Sequence, residues 1–228
     1  MRATARERAR AEITAEIKDE ARRQLAATGA QLSLRAVARE LGMVSSALYR
    51  YFPSRDDLLT ALIIDAYDAL AATAEEADAA AAGVPGSGAR DRWRACCHAI
   101  RGWARAHPHE YALIYGSPVP GYHAPQETVA HAARVATALA ILLTGAAGAG
   151  SGERLPGQLA GQAGLLADAV APGVPADVVA RGLIAWTQLF GMISFELFGQ
   201  LVGSADPADD FFGFAIEQTA DLVGLPAG

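Results

Sequence analysis

Residues 45–51 read Ser-Ser-Ala-Leu-Tyr-Arg-Tyr. Two hydroxyls, two phenols and a guanidinium are packed into seven positions of a chain that is 52% hydrophobic. On a helical wheel at about 100° per residue, Leu48 and Phe52 fall together, at about 300° and 340° from Ser45. Ser46, Arg50 and Ala47 take the opposite side, at about 100°, 140° and 200°, with Tyr49 and Tyr51 flanking them. An arginine can bond a guanine edge bidentately, and an alanine methyl can approach a thymine methyl. Flanking tyrosines are long enough to reach backbone phosphates. The chemistry implied by this face is readout of a DNA major groove, with Leu48 and Phe52 as its anchor. Either Ser45 or Ser46 touches a base; the residue types leave both open.

Such a face must be held by other helices. Ile13, Ile17, Ala21 and Leu25 recur every four residues among charges, which predicts an amphipathic helix stopped near Gly29. Ser33 can cap a second helix with Leu34, Val37, Ala38 and Leu41 inward, and Gly42 permits a sharp turn. A third helix over Ser45–Phe52 then completes a helix-turn-helix. Ser54 is placed to cap a fourth helix reaching about Ala82, with Asp56 and Asp57 in its first turn. Ser33, Arg35 and Arg55, at two helix starts, are placed for further phosphate contacts. The arginines before residue 11 read as a flexible basic arm.

Charge follows the same division. Residues 1–55 hold eleven basic and six acidic side chains, for +5. The remaining residues carry −11. A basic head on an acidic body fits a head that meets a polyanion. The expected domains are therefore 1–55, with the arm at 1–11, and 56–228. Adjacent Cys96 and Cys97 point about 100° apart on a helix and make poor disulfide partners, which fits a reducing cytoplasm. Residues 1–30 lack the apolar core of a signal peptide, and the longest uncharged stretches do not read as membrane spans.

Beyond residue 83, helices are predicted over 90–107, around Tyr111–Tyr115, and over 125–145, 156–170 and 176–202, with one more after Asp206 or Asp209. The fold class is all-α. Apolar residues repeat at three and four through the last two helices. Trp186, Phe190, Ile193, Leu197, Phe212 and Ile216 read as a dimer seam, the ordinary core of one chain being the alternative. Trp93, Trp103, Tyr111, Tyr115, Tyr122 and His123 cluster mid-chain and could line a pocket for an apolar or aromatic small molecule, aromatic core being the alternative. His107-Pro108-His109 lacks further ligands at useful spacing, so no metal is expected. No phosphate-binding loop, Gly-x-Ser-x-Gly or His-Glu-x-x-His motif supports an enzyme, and no cofactor is implied.

Ile13 to Leu59 resembles the DNA-binding domain of the tetracycline-repressor (TetR) family of bacterial regulators. The resemblance rests on Gly29, Ser33, Val37, Ala38, Leu41, Gly42, Leu48, Tyr49, Tyr51, Phe52, Ser54, Arg55, Leu58 and Leu59. It implies a homodimeric repressor on a palindromic operator, released by an effector bound in the larger helical domain. An activator without ligand control is the alternative reading. Val44 departs from the pattern: the family has serine or threonine there, capping the reading helix. Valine cannot cap, so either Ser45 takes over or the helix starts one residue later.

Overall fold

The computed structural model describes residues 4–28, 32–150, 152 and 154–226, all helix and loop with no strand among them. Gly29, the expected stop of the first helix, and Arg2 lie outside the described residues. The helices are α1 (Ala5–Thr28), α2 (Leu34–Glu40), α3 (Ser45–Leu48), α4 (Arg55–Ala82), α5 (Ala89–Ala106) and α6 (Pro108–Tyr115). They continue with α7 (Thr128–Ala140), a 3-10 stretch (Ile141–Ala149), α8 (Leu159–Val170), α9 (Ala176–Leu197) and α10 (Asp209–Val223).

The chain forms two compact units. The first takes residues up to Ala66 together with His107–Val129; the second takes Tyr67–Ala106 and Ala130 onward. The boundary expected after Arg55 therefore moves. The core of the first unit needs Leu58, Leu59 and Leu62 from α4 and Val119 from the loop after α6, besides Ile17, Ala21, Leu25, Val37, Leu48 and Phe52. One long helix and two short ones bury too little apolar surface alone, and the added residues complete the layer.

The expected flexible arm is also corrected. Glu7 N–H donates to Thr4 Oγ1 at 3.2 Å, and Thr4 N–H donates to Glu7 Oε2 at 2.7 Å. This reciprocal capping box starts α1 at Ala5, so Arg6, Arg8 and Arg10 ride on a helix. Further along, α1 commits its cations to ion pairs inside the unit. Lys18 meets Asp65 at 2.8 Å, and Arg22 meets Asp65 at 2.7 Å and Glu110 at 3.0 Å.

In the second unit α5 lies against α9 and α10, with Trp93, Ile100, Ile193, Phe212 and Ile216 buried. The helix expected over 176–202 ends at Leu197, and that over 125–145 gives way to the 3-10 stretch after Ala140. Thr128–Ala146 and Ala176–Leu197 are long and apolar enough to match a membrane span by composition. In α9 that apolarity serves the core, where Val178, Ala185, Leu189 and Ile193 are buried. Cys96 and Cys97 are free and buried, and burial pushes the Cys96 thiol up to about 12.

Arginine pairs hold carboxylates of this unit below their usual range. Hydrogen bonds from Arg94 lower Glu217, those from Arg134 lower Glu75, and those from Arg101 lower Asp209. A carboxylate depressed in the folded state stabilises fully above its unfolded pKa and loses that contribution as pH falls through the folded value. These pairs are therefore expected to contribute fully down to about pH 5 and to be lost below about pH 4, while His98, lowered by burial, adds a shallow decline as pH falls below its ordinary value. Circular-dichroism melts across that range check this; equal melting at pH 6 and 3 would remove these pairs from the account.

Candidate nucleic-acid interface

The reading segment is built on a tight turn. Ser33 has extended backbone and its Oγ accepts from Ala36 N–H, capping α2 as expected. At the other end Met43 N–H donates to Ala38 O at 2.8 Å and Gly42 N–H to Arg39 O at 3.1 Å. This is the Schellman pattern, and it requires the left-handed φ of +64° found at Gly42.

Val44 then occupies the cap position of α3, with no side-chain cap bond. Ser45 does not take over the cap; it is the first helical residue, so the helix is not displaced. The expected span to Phe52 is shortened. After Leu48 the chain tightens into turns, with Arg50 N–H bonded to Ala47 O and Tyr51 N–H to Leu48 O.

The anchor and the face nonetheless separate as the wheel requires. Leu48 is 0% and Phe52 7% exposed, while Ser45, Ser46, Tyr49 and Arg50 face solvent. Ala47 and Tyr51 are half-buried. Tyr51 packs against the core of the unit, and Arg10 covers it from outside: its guanidinium lies 5.1 Å from the Tyr51 ring centre, and its Nη2 donates to Arg50 O at 3.3 Å. Arg10 thus braces the end of the reading segment from α1. The capping residues Thr4 and Glu7 could have placed Arg10 on a helix, but no local pattern pairs it with a segment 40 residues away.

Arg35 is exposed beside the α2 start. Arg55 is half-buried; its Nε donates to Leu32 O at 3.2 Å and its guanidinium lies 3.6 Å from Asp56. It ties the start of α4 to the segment before α2, a positioning contact that the phosphate assignment did not foresee.

The aromatic cluster expected to form one pocket divides. Tyr111, Tyr115 and Tyr122 belong to the first unit. There Tyr111 is fully buried with its ring 5.3 Å from that of Tyr115, and Tyr122 Oη lies 2.9 Å from Thr60 Oγ1. Trp103 is buried in the second unit. Of the six candidate pocket residues only Trp93 lines the apolar cavity of that unit, about 130 Å³ in volume. Leu139, Leu143, Leu166, Val170, Val179 and Trp186 complete much of its wall. The indole N–H of Trp93 is spent on Ile216 O and Thr219 Oγ1, so it offers the cavity no donor. His107 and His109 have no metal-binding company: among the described residues no group of three His, Cys, Asp or Glu side chains converges.

The dimer-seam residues are corrected in a similar way. Phe190, Ile193, Phe212 and Ile216 are buried inside the single chain, Trp186 packs 4.7 Å from the Phe190 ring, and Leu197 is half-buried. Burial within one chain leaves the four buried residues no surface for a second. Most of the large apolar residues that the two helices leave exposed lie on their opposite sides: Ile184 and Phe195 on α9 with Phe198 just past its end, and Phe211, Phe214 and Leu222 on α10.

A capped helix, a glycine turn and a short helix with a buried anchor and a polar outer face define a helix-turn-helix DNA-binding protein. Comparisons with known proteins agree. The family described as "Bacterial regulatory proteins, tetR family" matches residues 17–62, and "Tetracyclin repressor-like, C-terminal domain" matches residues 93–219. The HTH-type transcriptional regulator Rv1816 of Mycobacterium tuberculosis is 45% identical over 216 residues, covering 84% of this chain and 83% of that one. The solved structure of SCO4313 superposes with a TM-score of 0.77 at 34% identity, covering 96% of this chain and all of that one. A tetR-family regulatory protein from Rhodococcus RHA1 shares the fold, with a TM-score of 0.60 at 21% identity over 94% of this chain and 98% of that one. The chain belongs to the tetR family of bacterial regulators: it is a DNA-binding transcriptional regulator.

Proposed function

We propose that this regulator is a homodimeric, cytoplasmic repressor that binds a palindromic operator and is released by a small, neutral, apolar effector. The observation carrying the reading is the reading segment itself. Ser46 and Arg50 stand exposed over a buried Leu48 and Phe52. Tyr49, Tyr51, Ser33 and Arg35 flank that face for phosphates. Two copies one helical turn apart are needed to read a palindrome. The exposed aromatic faces of α9 and α10 support a seam in which each copy covers the other, as a four-helix bundle. The cavity beside Trp93 and Trp186 supports an effector of roughly benzene size, because its wall carries no charged side chain and is almost wholly hydrocarbon. A ligand preferring one conformation would shift the population away from the operator-competent one.

Selection of bound DNA from a random pool at moderate salt tests symmetry, half-site spacing and sequence preference together. The enriched operator is then challenged with neutral aromatic hydrocarbons, which are expected to weaken binding; charged analogues of equal size are not. Arg50→Ala is expected to weaken operator binding about ten- to a hundredfold while leaving scrambled DNA nearly unaffected, since one good base contact discriminates by about 1–3 kcal/mol. Equal losses on both DNAs would remove Arg50 from base readout.

A further inference from the structure

Val44 is the most puzzling residue of the reading segment. It stands at the cap of α3, where a hydroxyl or carboxamide would satisfy a first-turn N–H, and its side chain makes no such bond. Nor does it pack: 69% of it is exposed. Valine at this position therefore stabilises the free protein neither by capping nor by burial. Single exposed hydrophobes are ordinary on protein surfaces, so exposure by itself means little. Position is what matters here. Val44 immediately precedes the exposed Ser45 and Ser46 and stands beside the face that carries Arg50. Residues at the amino end of a reading helix are those that meet base edges.

We propose that Val44 reads a thymine, packing its methyl groups against the C5-methyl in each half-site of the operator. This rests on the operator reading above. In the major groove only thymine presents a methyl; cytosine carries a bare C5–H in its place and an amino donor on the adjacent C4, where thymine has its O4 acceptor. A valine side chain can neither donate nor accept a hydrogen bond. It complements the methyl and leaves the cytosine amine desolvated and unpaired. Ala47, half-buried on the next turn, is the other apolar group near this face, and the test separates the two.

The test uses the full chain and the operator selected from the random pool. Each thymine is replaced by deoxyuridine, which removes only the methyl, symmetrically in both half-sites. Affinities are measured for the native protein and for Val44→Ser. At one position uracil is expected to weaken the native protein roughly fifteenfold, because burying one methyl-sized group is worth about fourfold per half-site and both half-sites lose it. At that position Val44→Ser is expected to bind thymine and uracil equally. Its melting temperature should not fall, because serine restores a cap bond, so misfolding does not confuse the result. A uracil penalty that persists unchanged in Val44→Ser would belong to Ala47 or another group and overturns the proposal, as does a scan with no penalty anywhere. A pool that returns no preferred sequence overturns the operator reading along with it, whereas a well-defined operator with a flat scan overturns only the role of Val44.

Discussion

Replacing Arg101 with alanine is expected to destabilise the second unit by about 3 kcal/mol, roughly 6–12 °C of melting temperature for a chain of this length. Its side chain is only 6% exposed. Nε and Nη2 hold Glu196 in a two-pronged bond at 2.7 and 2.8 Å, Nη1 reaches Asp209 at 2.9 Å, and the guanidinium lies 4.7 Å from the Phe212 ring centre. Glu196 stands at the end of α9 and Asp209 at the start of α10, so one side chain from α5 fixes the corner between the two helices. Truncation leaves the Glu196 carboxylate, itself only 18% exposed, with Arg105 at 3.7 Å as its remaining cation. Most of the cost is that stranded charge. Arg101→Lys should rescue little, because an ammonium cannot form the planar fork. Arg101→Met combined with Glu196→Leu should recover much of the loss, because it removes both buried charges together. Because the corner also sets the mutual register of the exposed Phe195, Phe198, Phe211 and Phe214, the proposed dimer should dissociate at higher concentration in the alanine variant than in the native protein. Thermal melts and sedimentation measure both effects. A loss under about 1 kcal/mol would mean that the cluster behaves as an ordinary surface pair.

The reading segment was legible in the sequence because its pattern is strongly amphipathic. Leu48 and Phe52 can only go inward, and Ser46 and Arg50 are left outside. The caps at Ser33 and Ser54 and the turn at Gly42 were legible for a related reason, since each residue type has one favourable use at such a place. Asp57 N–H does donate to Ser54 Oγ at 3.1 Å. The capping box at Thr4 and Glu7 was also available, and reading Arg6, Arg8 and Arg10 as an arm overlooked it. The α9 and α10 assignments failed for a different reason. Both helices carry large apolar residues on more than one face, so periodicity finds a stripe without saying which stripe faces inward. Phe190 and Phe195 are equally good hydrophobes, and only the packing of α5 and α8 against α9 decides that the first is core and the second surface. The aromatic pocket failed because proximity along the chain is not proximity in space. Tyr111 and Trp103 are eight residues apart yet belong to different units. Arg101 and Arg10 were illegible as anchors because their partners lie 95 and 40 residues away.

The second large effect is expected at Leu48. Leu48→Ala should cost about 2–5 kcal/mol, the range for emptying a fully buried leucine site. The consequence for function is greater than that figure conveys, because α3 has only four residues and no stability of its own. Its orientation is imposed by Leu48 and Phe52, which sit in a core with Ile17, Val37, Leu58 and Leu59. Loosening the anchor frees Ser46 and Arg50 from the geometry that base readout needs, so specific binding should fall much further than binding to scrambled DNA. Leu48→Met conserves volume and should cost less than about 1.5 kcal/mol, with most specificity retained. The two units can be followed separately, because all three tryptophans, Trp93, Trp103 and Trp186, lie in the second. Tryptophan fluorescence should report little change in the unfolding of that unit, while hydrogen exchange in α2 and α4 near Leu58 should accelerate. If Leu48→Ala opened the first unit in this way and still bound its operator with native selectivity, the exposed face of α3 would not be the reader, and the buried anchor would have only a structural use.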